Sequence, residues 1–288
     1  MYPVIPMPVF LILFIVSMVF CCIGFKRFIW FISVGYGLSA AGIGAAMFVM
    51  ALIRGGSSVI FLIQCLLFVV YGVRLGGFLL ARELKNAGYK AKMNEIGVNA
   101  KTPIFVSVFM WLYCGAIYLC QAGAACYRFA NGFDAAPNAA LYIGVAVSAI
   151  GIVLEAIADK QKSAQKAKNP KMPAMEGLFK MCRCPNYFGE ILFWTGIIIS
   201  GIGGVKGAQW IIAILGYVEI VGVMFSGAKR LETRHIKNYG SDPAYNAYAD
   251  KTPILIPLLP IYHMTSAEAI ARDEAKKAAK KAAGKAKK

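Results

Sequence analysis

Charge is scarce in this chain, and acid scarcer still. Of 288 residues only 16 % are Asp, Glu, Lys or Arg, and Asp and Glu together number 14. A soluble domain carries about 25 % charged residues, so a soluble fold is excluded. Histidine occurs only at His235 and His263. With a single Cys-x-Cys, Cys182 and Cys184, and no second pair nearby, no metal site is expected. The other six cysteines (Cys21, Cys22, Cys65, Cys114, Cys120 and Cys126) fall in or at the ends of apolar runs. A thiol there behaves as a small hydrophobe, so no disulfide framework is expected. The first apolar run also lacks the basic flank of a cleaved signal, since Lys26 and Arg27 follow it. It is expected to remain as a permanent span.

What is present is apolar: 59 % hydrophobic residues and a mean hydropathy of +0.61. Val9–Phe25, Phe28–Ile53, Gly55–Val73, Thr102–Tyr127 and Ala135–Leu154 contain no charged residue. Ile191–Val205 extends back through Asn186, and Gly207–Ala228 is interrupted only by Glu219. A spanning helix needs about 20 apolar residues. The expected fold is an all-α integral membrane protein, a bundle of seven spans. Twenty-seven Lys and Arg fall in alternate loops and the tail, against Arg54, Arg128 and Lys206 in the others. That asymmetry places the N-terminus outside and the C-terminus inside. It also assigns the basic excess, +17 overall, to anionic lipid at the inner surface rather than to nucleic acid. Residues 1–265 read as one membrane domain and 266–288 as an Ala/Lys-rich cytosolic tail that stays solvated.

Candidate functional residues are the polar ones that this background makes costly. The stretch Met175–Gly204 holds the densest set: a basic loop ends at Arg183, and Asn186, Tyr187 and Glu190 sit at the mouth of an apolar helix. The second span repeats Gly35, Gly37, Gly42 and Gly44 around Tyr36; this fits close helix packing or a ligand-facing groove. Tyr71 and Arg74 share a face of the third span. They suit a carbonyl or phosphate partner, or an interfacial Tyr beside an Arg that reaches for the membrane surface. Glu155, Asp159, Lys162 and Lys166 share one face of the fifth, as intrahelical ion pairs or as a surface for a phosphorylated cofactor. Arg230 and Arg234, one turn apart, precede Tyr239, Tyr245 and Tyr248. Arginines bind phosphate and aromatic rings stack on a planar base; an amphipathic helix on the bilayer is the other reading.

Three segments together resemble the membrane-embedded steroid 5α-reductase superfamily, in particular its broad reductase-like branch. These are Leu154–Lys162 (LEAIADKQK), Arg183-Cys184-Pro185-Asn186-Tyr187-Phe188-Gly189-Glu190, and the ending AYNAYADKTPILIP. The clearest similarity covers residues 154–257, with Tyr71-x-x-Arg74 a weaker addition. The resemblance implies an NADPH-dependent oxidoreductase that reduces a conjugated C=C bond in a lipid or steroid-like enone. Asn186, Tyr187 and Glu190 would hold the nicotinamide end. Asp159, Lys166, Arg183, Arg230, Arg234, Tyr239, Tyr245 and Tyr248 would surround the ribose and phosphates. Tyr71 and Glu190 would be catalytic, and Tyr36 and Arg74 would meet a lipophilic substrate drawn from the bilayer.

The chain departs from that pattern twice. Cys184 stands where the branch has histidine, and residues 28–53 hold no acid to pair with Tyr71. An S-adenosylmethionine-dependent isoprenylcysteine-type methyltransferase, or a non-catalytic membrane subunit on the same fold, are the competing readings. The expected location is multi-pass in a plasma membrane, if prokaryotic, or in the endoplasmic reticulum, if eukaryotic.

Overall fold

The structure is a computed structural model that describes residues 2–85, 102–271 and 275. The end of the inside loop read at Arg82–Lys101 and most of the 266–288 tail lie outside the described residues. Every regular element described is helical. In chain order these are α1 (Met7–Cys21), α2 (Val34–Arg54), α3 (Val59–Lys85), α4 (Ile104–Gln121), α5 (Gly123–Ala130), α6 (Ala139–Lys168), α7 (Pro185–Ser200), α8 (Gln209–Tyr239) and α9 (Pro243–Ala249). Short 3-10 turns sit at Cys22–Phe25, Phe28–Phe31 and Gly177–Lys180.

Six stretches are long and apolar enough to cross a membrane: Met7–Phe25, Phe28–Arg54, Val59–Ala81, Ile104–Gln121, Ala139–Lys168 and Gln209–Tyr239. The protein is therefore a multi-pass membrane protein. The sequence leads one to expect a seventh at Ile191–Val205. That stretch is instead covered by α7, whose 16 residues span about 24 Å at 1.5 Å per residue, short of a hydrocarbon core about 30 Å thick. The fourth apolar block differs too. Expected to run unbroken over Thr102–Tyr127, it stops at Gln121, and Gly123–Ala130 forms a separate helix.

Two compact units share the chain, Met1–Ala149 with Leu192–Ile220, and Ile150–Ile191 with Val221–Lys288. In the first, the glycine-rich second span serves packing. A methyl group on Gly37 would lie 2.7 Å from the Gly76 nitrogen, and one on Gly72 would lie 2.6 Å from the Ala41 nitrogen. Backbones of α2 and α3 thus meet directly, which only glycine at those positions allows. Gly144 and Gly196 do the same for α6 and α7, and Ser148 Oγ donates to the Phe193 carbonyl at 2.9 Å.

The same unit buries an arginine. Arg128 is 1 % exposed. Its Nε donates to Ser200 O (2.7 Å), Nη1 to Phe133 O (2.9 Å), and Nη2 to Ile202 O (2.7 Å) and Asn138 Oδ1 (3.0 Å). The last carbonyls of a helix have no partner within it, and its C-terminus carries partial negative charge. Arg128 answers both needs at the end of α7. Arg54 pairs with buried Asp134 and stacks on Phe129 (4.1 Å), while Lys206 lies over the Phe133 ring (4.3 Å). The three cations read as outside-loop residues therefore converge on one segment, 128–134.

In the second unit, Gly189 fits against α6: a methyl there would come 2.7 Å from Gly151 O and 2.8 Å from Glu155 N. The segment between α6 and α7 is folded by two glutamines one helical turn apart. Gln161 Oε1 accepts from Leu178 N (2.8 Å), and Gln165 Oε1 from Met175 N (2.9 Å) and Glu176 N (3.0 Å). Gly177 adopts φ +66° over Gln161, a conformation that favours glycine. Asp242 caps α9, accepting from Ala244 N at 2.8 Å, with Pro243 as its first residue.

Candidate functional site

The polar residues expected to bind a cofactor all fall in the second unit, on α6, α7, α8, α9 and the loop before α7. Their centre is a residue the sequence reading passed over except as a poor metal ligand. His235 is half-buried on α8. Tyr239 and Tyr245 present rings to it at 5.5 and 6.1 Å, and to each other at 5.9 Å. Arg234, Lys162, Arg183 and Lys166 are its charged neighbours. Lys166 Nζ lies 5.3 Å from the Tyr239 ring, and the other three cations act on His235 through their charge.

The members differ in what they have left to offer. An ammonium has three donors, and Lys166 gives them to Pro170 O (2.9 Å), Met172 O (2.8 Å) and Tyr239 Oη (2.9 Å). Tyr248 Oη donates to Phe179 O at 2.7 Å. These two side chains hold the frame of the site. Arg183 is buried and pairs with Glu232 at 3.3 Å, while its backbone N–H donates to Pro253 O at 2.8 Å. By contrast, Arg230 and Arg234 are exposed, and no hydrogen bond or ion pair of theirs occurs among the described residues. Both lie within electrostatic reach of Tyr187 at the head of α7. Asp159, on the same α6 face as Lys162 and Lys166, is half-buried.

Three candidate residues of this unit carry a buried polar atom without a hydrogen-bond partner among the described residues: Arg183 Nε, Asn186 Oδ1 and the Tyr245 hydroxyl. Tyr245 is 1 % exposed. Burial pushes its phenol up and Arg183 beside it pulls the other way. Buried donors and acceptors are nearly always paired, and Arg183 beside Tyr245 is the nearest protein group able to serve its hydroxyl. Glu190 is buried one residue beyond the Gly189 contact.

Cys184, where the resemblance leads one to expect histidine, is buried with Cys182. Burial pushes both thiols up to about 12. They stay neutral well above pH 8, and the thiolate is the reactive form. In the folded protein N-ethylmaleimide at pH 8 is expected to label neither residue, and both after unfolding in detergent, as read by peptide mass spectrometry. Native-state labelling of Cys184 would show that this loop opens.

Tyr71 and Tyr36 lie in the first unit. Tyr71 on α3 is fully buried, stacked on Phe193 at 4.0 Å. Its hydroxyl is 2.6 Å from that of Tyr36 on α2, and Trp194 Nε1 donates to Tyr36 Oη at 2.7 Å. The second span has no acid, and a phenol stands beside Tyr71 in its place. Arg74 follows one turn along α3, half-buried. Glu219 on α8, the intramembrane carboxylate, accepts from Gln121 Nε2 at 2.6 Å. Among the described residues no cluster of His, Cys, Asp and Glu could hold a metal ion.

Residues 19–252 match the model of a family described as "Protein of unknown function (DUF1295)". The match covers most of the chain, which belongs to that family. No curated protein matches the chain, and no solved structure does.

Proposed function

We propose that this member of the DUF1295 family is a steroid 5α-reductase-like, NADPH-dependent membrane reductase of a conjugated C=C bond in a lipophilic enone. The observation that carries the reading is the gathering of Lys162, Lys166, Arg183 and Arg234 around the His235–Tyr239–Tyr245 rings. Cations beside stacked aromatic rings suit a ligand that is both phosphorylated and planar. The unfilled Arg183 Nε, Asn186 Oδ1 and Tyr245 hydroxyl fit the amide and ribose groups of such a ligand.

The topology belongs to the same reading. α7 is taken as a short seventh span, the N-terminus as outside and the cation cluster as inside, where a soluble dinucleotide is available. Positive-inside asymmetry supports it. The three remaining loop cations are held by the protein itself, Arg54 and Lys206 by Asp134 and Phe133, and Arg128 by carbonyls that include Ser200 O. Arg230 and Arg234 would meet the phosphates, Asn186, Tyr187 and Glu190 the nicotinamide end, and Tyr36 and Arg74 the lipid.

Held by Asn186, Tyr187 and Glu190, NADPH would supply the hydride for the β-carbon of the enone. The chain's own part is to stabilise the charge that develops on the carbonyl oxygen. Indole N–H can only donate, so Trp194 fixes Tyr36 Oη as acceptor. Tyr36 Oη and Tyr71 Oη share a 2.6 Å hydrogen bond in which either can donate, and Tyr71 would be the hydroxyl that meets the developing enolate oxygen. A prepositioned donor of this kind acts in a low-dielectric site, where it is worth most. The α-carbon takes its proton from Tyr71 or solvent.

Nicotinamide fluorescence on titrating detergent-purified protein with NADPH tests the reading, with S-adenosylmethionine as the competing ligand. Saturable NADPH binding is expected, weakened about tenfold by Arg234→Ala, the cost of one charged hydrogen bond. Glu190→Ala should weaken it further. Arg234 is exposed, so loss of binding there is not loss of fold. Binding of S-adenosylmethionine in place of NADPH would replace the reductase with the methyltransferase. Binding of neither would leave the fold as a scaffold.

A further inference from the structure

Between α9 and the tail, Pro253–Tyr262 (PILIPLLPIY) runs ten residues without a charge or a strongly polar side chain. It lies outside every spanning helix, and it is too short to cross a bilayer. Its base is packed, with Ile254 and Leu255 buried, whereas its tip is bare: Leu258 is 91 % exposed and Leu259 44 %, with Ile261 and Tyr262 also exposed. Isolated surface leucines need no explanation, but a contiguous exposed apolar loop does.

The loop is held in shape. Ile254 N donates to Ile261 O (2.8 Å), Leu259 N to Ile256 O (3.1 Å) and Ile261 N to Leu259 O (2.7 Å). Pro253, Pro257 and Pro260 have no N–H to satisfy. Six of its ten backbone nitrogens are thus either internally bonded or carry no hydrogen. Each such nitrogen is one fewer N–H that needs water, which lowers the cost of placing this backbone in the bilayer interface.

Both ends are tied to one buried ion pair. Arg183 N donates to Pro253 O at one end. At the other, Glu232, the partner of Arg183, accepts from Met264 N (2.8 Å) and hydrogen-bonds His263 Nδ1 (3.2 Å), and His263 Nε2 meets Asp250 (3.0 Å). Arg183 is two residues before α7. The tie therefore holds the loop at the level of the head of that apolar helix. Tyr262, adjoining the tip, is of the type that settles at the headgroup level, and exposed Lys251 precedes it.

We infer that residues 256–262 form a wedge inserted into the interfacial region of the bilayer, displayed by the Arg183–Glu232 pair. Its partner is lipid at the junction of headgroups and acyl chains. The wedge stands independently of the reaction proposed for the chain.

The test is depth-dependent quenching on the full chain in phosphatidylcholine/phosphatidylglycerol liposomes. NBD is attached at Leu258→Cys or Leu259→Cys in a Cys22→Ala background, with Asn246→Cys on α9 as the exposed polar control. At 258 and 259 a shallow spin-labelled lipid is expected to quench about threefold more than at 246, with iodide quenching reduced by a similar factor, as for residues lying in the interface. Equal iodide access at 258 and 246 would overturn the wedge. So would protection at 258 that disappears when the protein is diluted into excess lipid, because the cover would then be a second copy of the chain. Two neighbouring exposed positions keep the result from depending on one substitution.

Discussion

An Arg128→Met protein is expected to be lost to aggregation, or to melt far below the wild type, when both are followed by fluorescence-detected gel filtration after heating. Methionine fills much of the space but has no donor. Its introduction leaves Ser200 O and Phe133 O without the N–H groups that now reach them at 2.7 and 2.9 Å. An unsatisfied buried acceptor costs about 1–3 kcal/mol, and a site as closed as that of Arg128 offers no water as a substitute. Ile202 O is the exception, since Asn138 Nδ2 also donates to it at 2.8 Å. Two unpaired carbonyls are already a large fraction of a typical stability of about 5–15 kcal/mol. Arg128→Lys should recover only part of the loss, because an ammonium cannot reproduce the planar fork that serves four acceptors at once. Wild-type melting in the Met variant would mean that the end of α7 is held elsewhere.

Tyr71→Phe is the second large effect, and it tests chemistry. Phenylalanine keeps the stack on Phe193 and removes only the hydroxyl. NADPH affinity should be unchanged, while enone turnover, assayed by NADPH oxidation over a panel of lipid enones, falls about 10²–10³-fold, the cost of one donor at a developing oxyanion. Tyr36→Phe should fall less, since Tyr36 acts through Tyr71. It should also shift the pH profile of turnover, which a purely structural role would not do. Equal activity of Tyr71→Phe and wild type would remove Tyr71 from the reaction and leave the hydroxyl pair as packing.

The helical class and membrane character follow from the chain alone, because apolar blocks without charge admit few other solutions in lipid. The glycines of the second span, Gly35, Gly37, Gly42 and Gly44, were legible as packing signals, whereas the close approaches at Gly189 and Gly196 on α7 came from the structure. Helix starts at Pro185 and Pro243, and the Asp242 cap, follow from local backbone chemistry. The Arg183–Glu190 stretch stands out in the sequence because polar groups at an apolar helix are costly.

Tertiary structure decided what each polar side chain does. Arg128 reads in sequence as one loop cation among three, and its role depends on carbonyls some seventy residues away. Lys166 reads as a phosphate ligand, yet all three of its donors are taken by protein oxygens. His235 shows no spacing signal, and its importance comes from cations on three segments. The hydroxyl beside Tyr71 comes from Tyr36, thirty-five residues earlier. Hydrophobic periodicity is a local property, so it is written in the sequence. Hydrogen-bond partnership is fixed only when distant backbones meet, and here that meeting separates Lys166 and Tyr248, whose polar groups are taken by protein oxygens, from Arg230 and Arg234, which stay exposed.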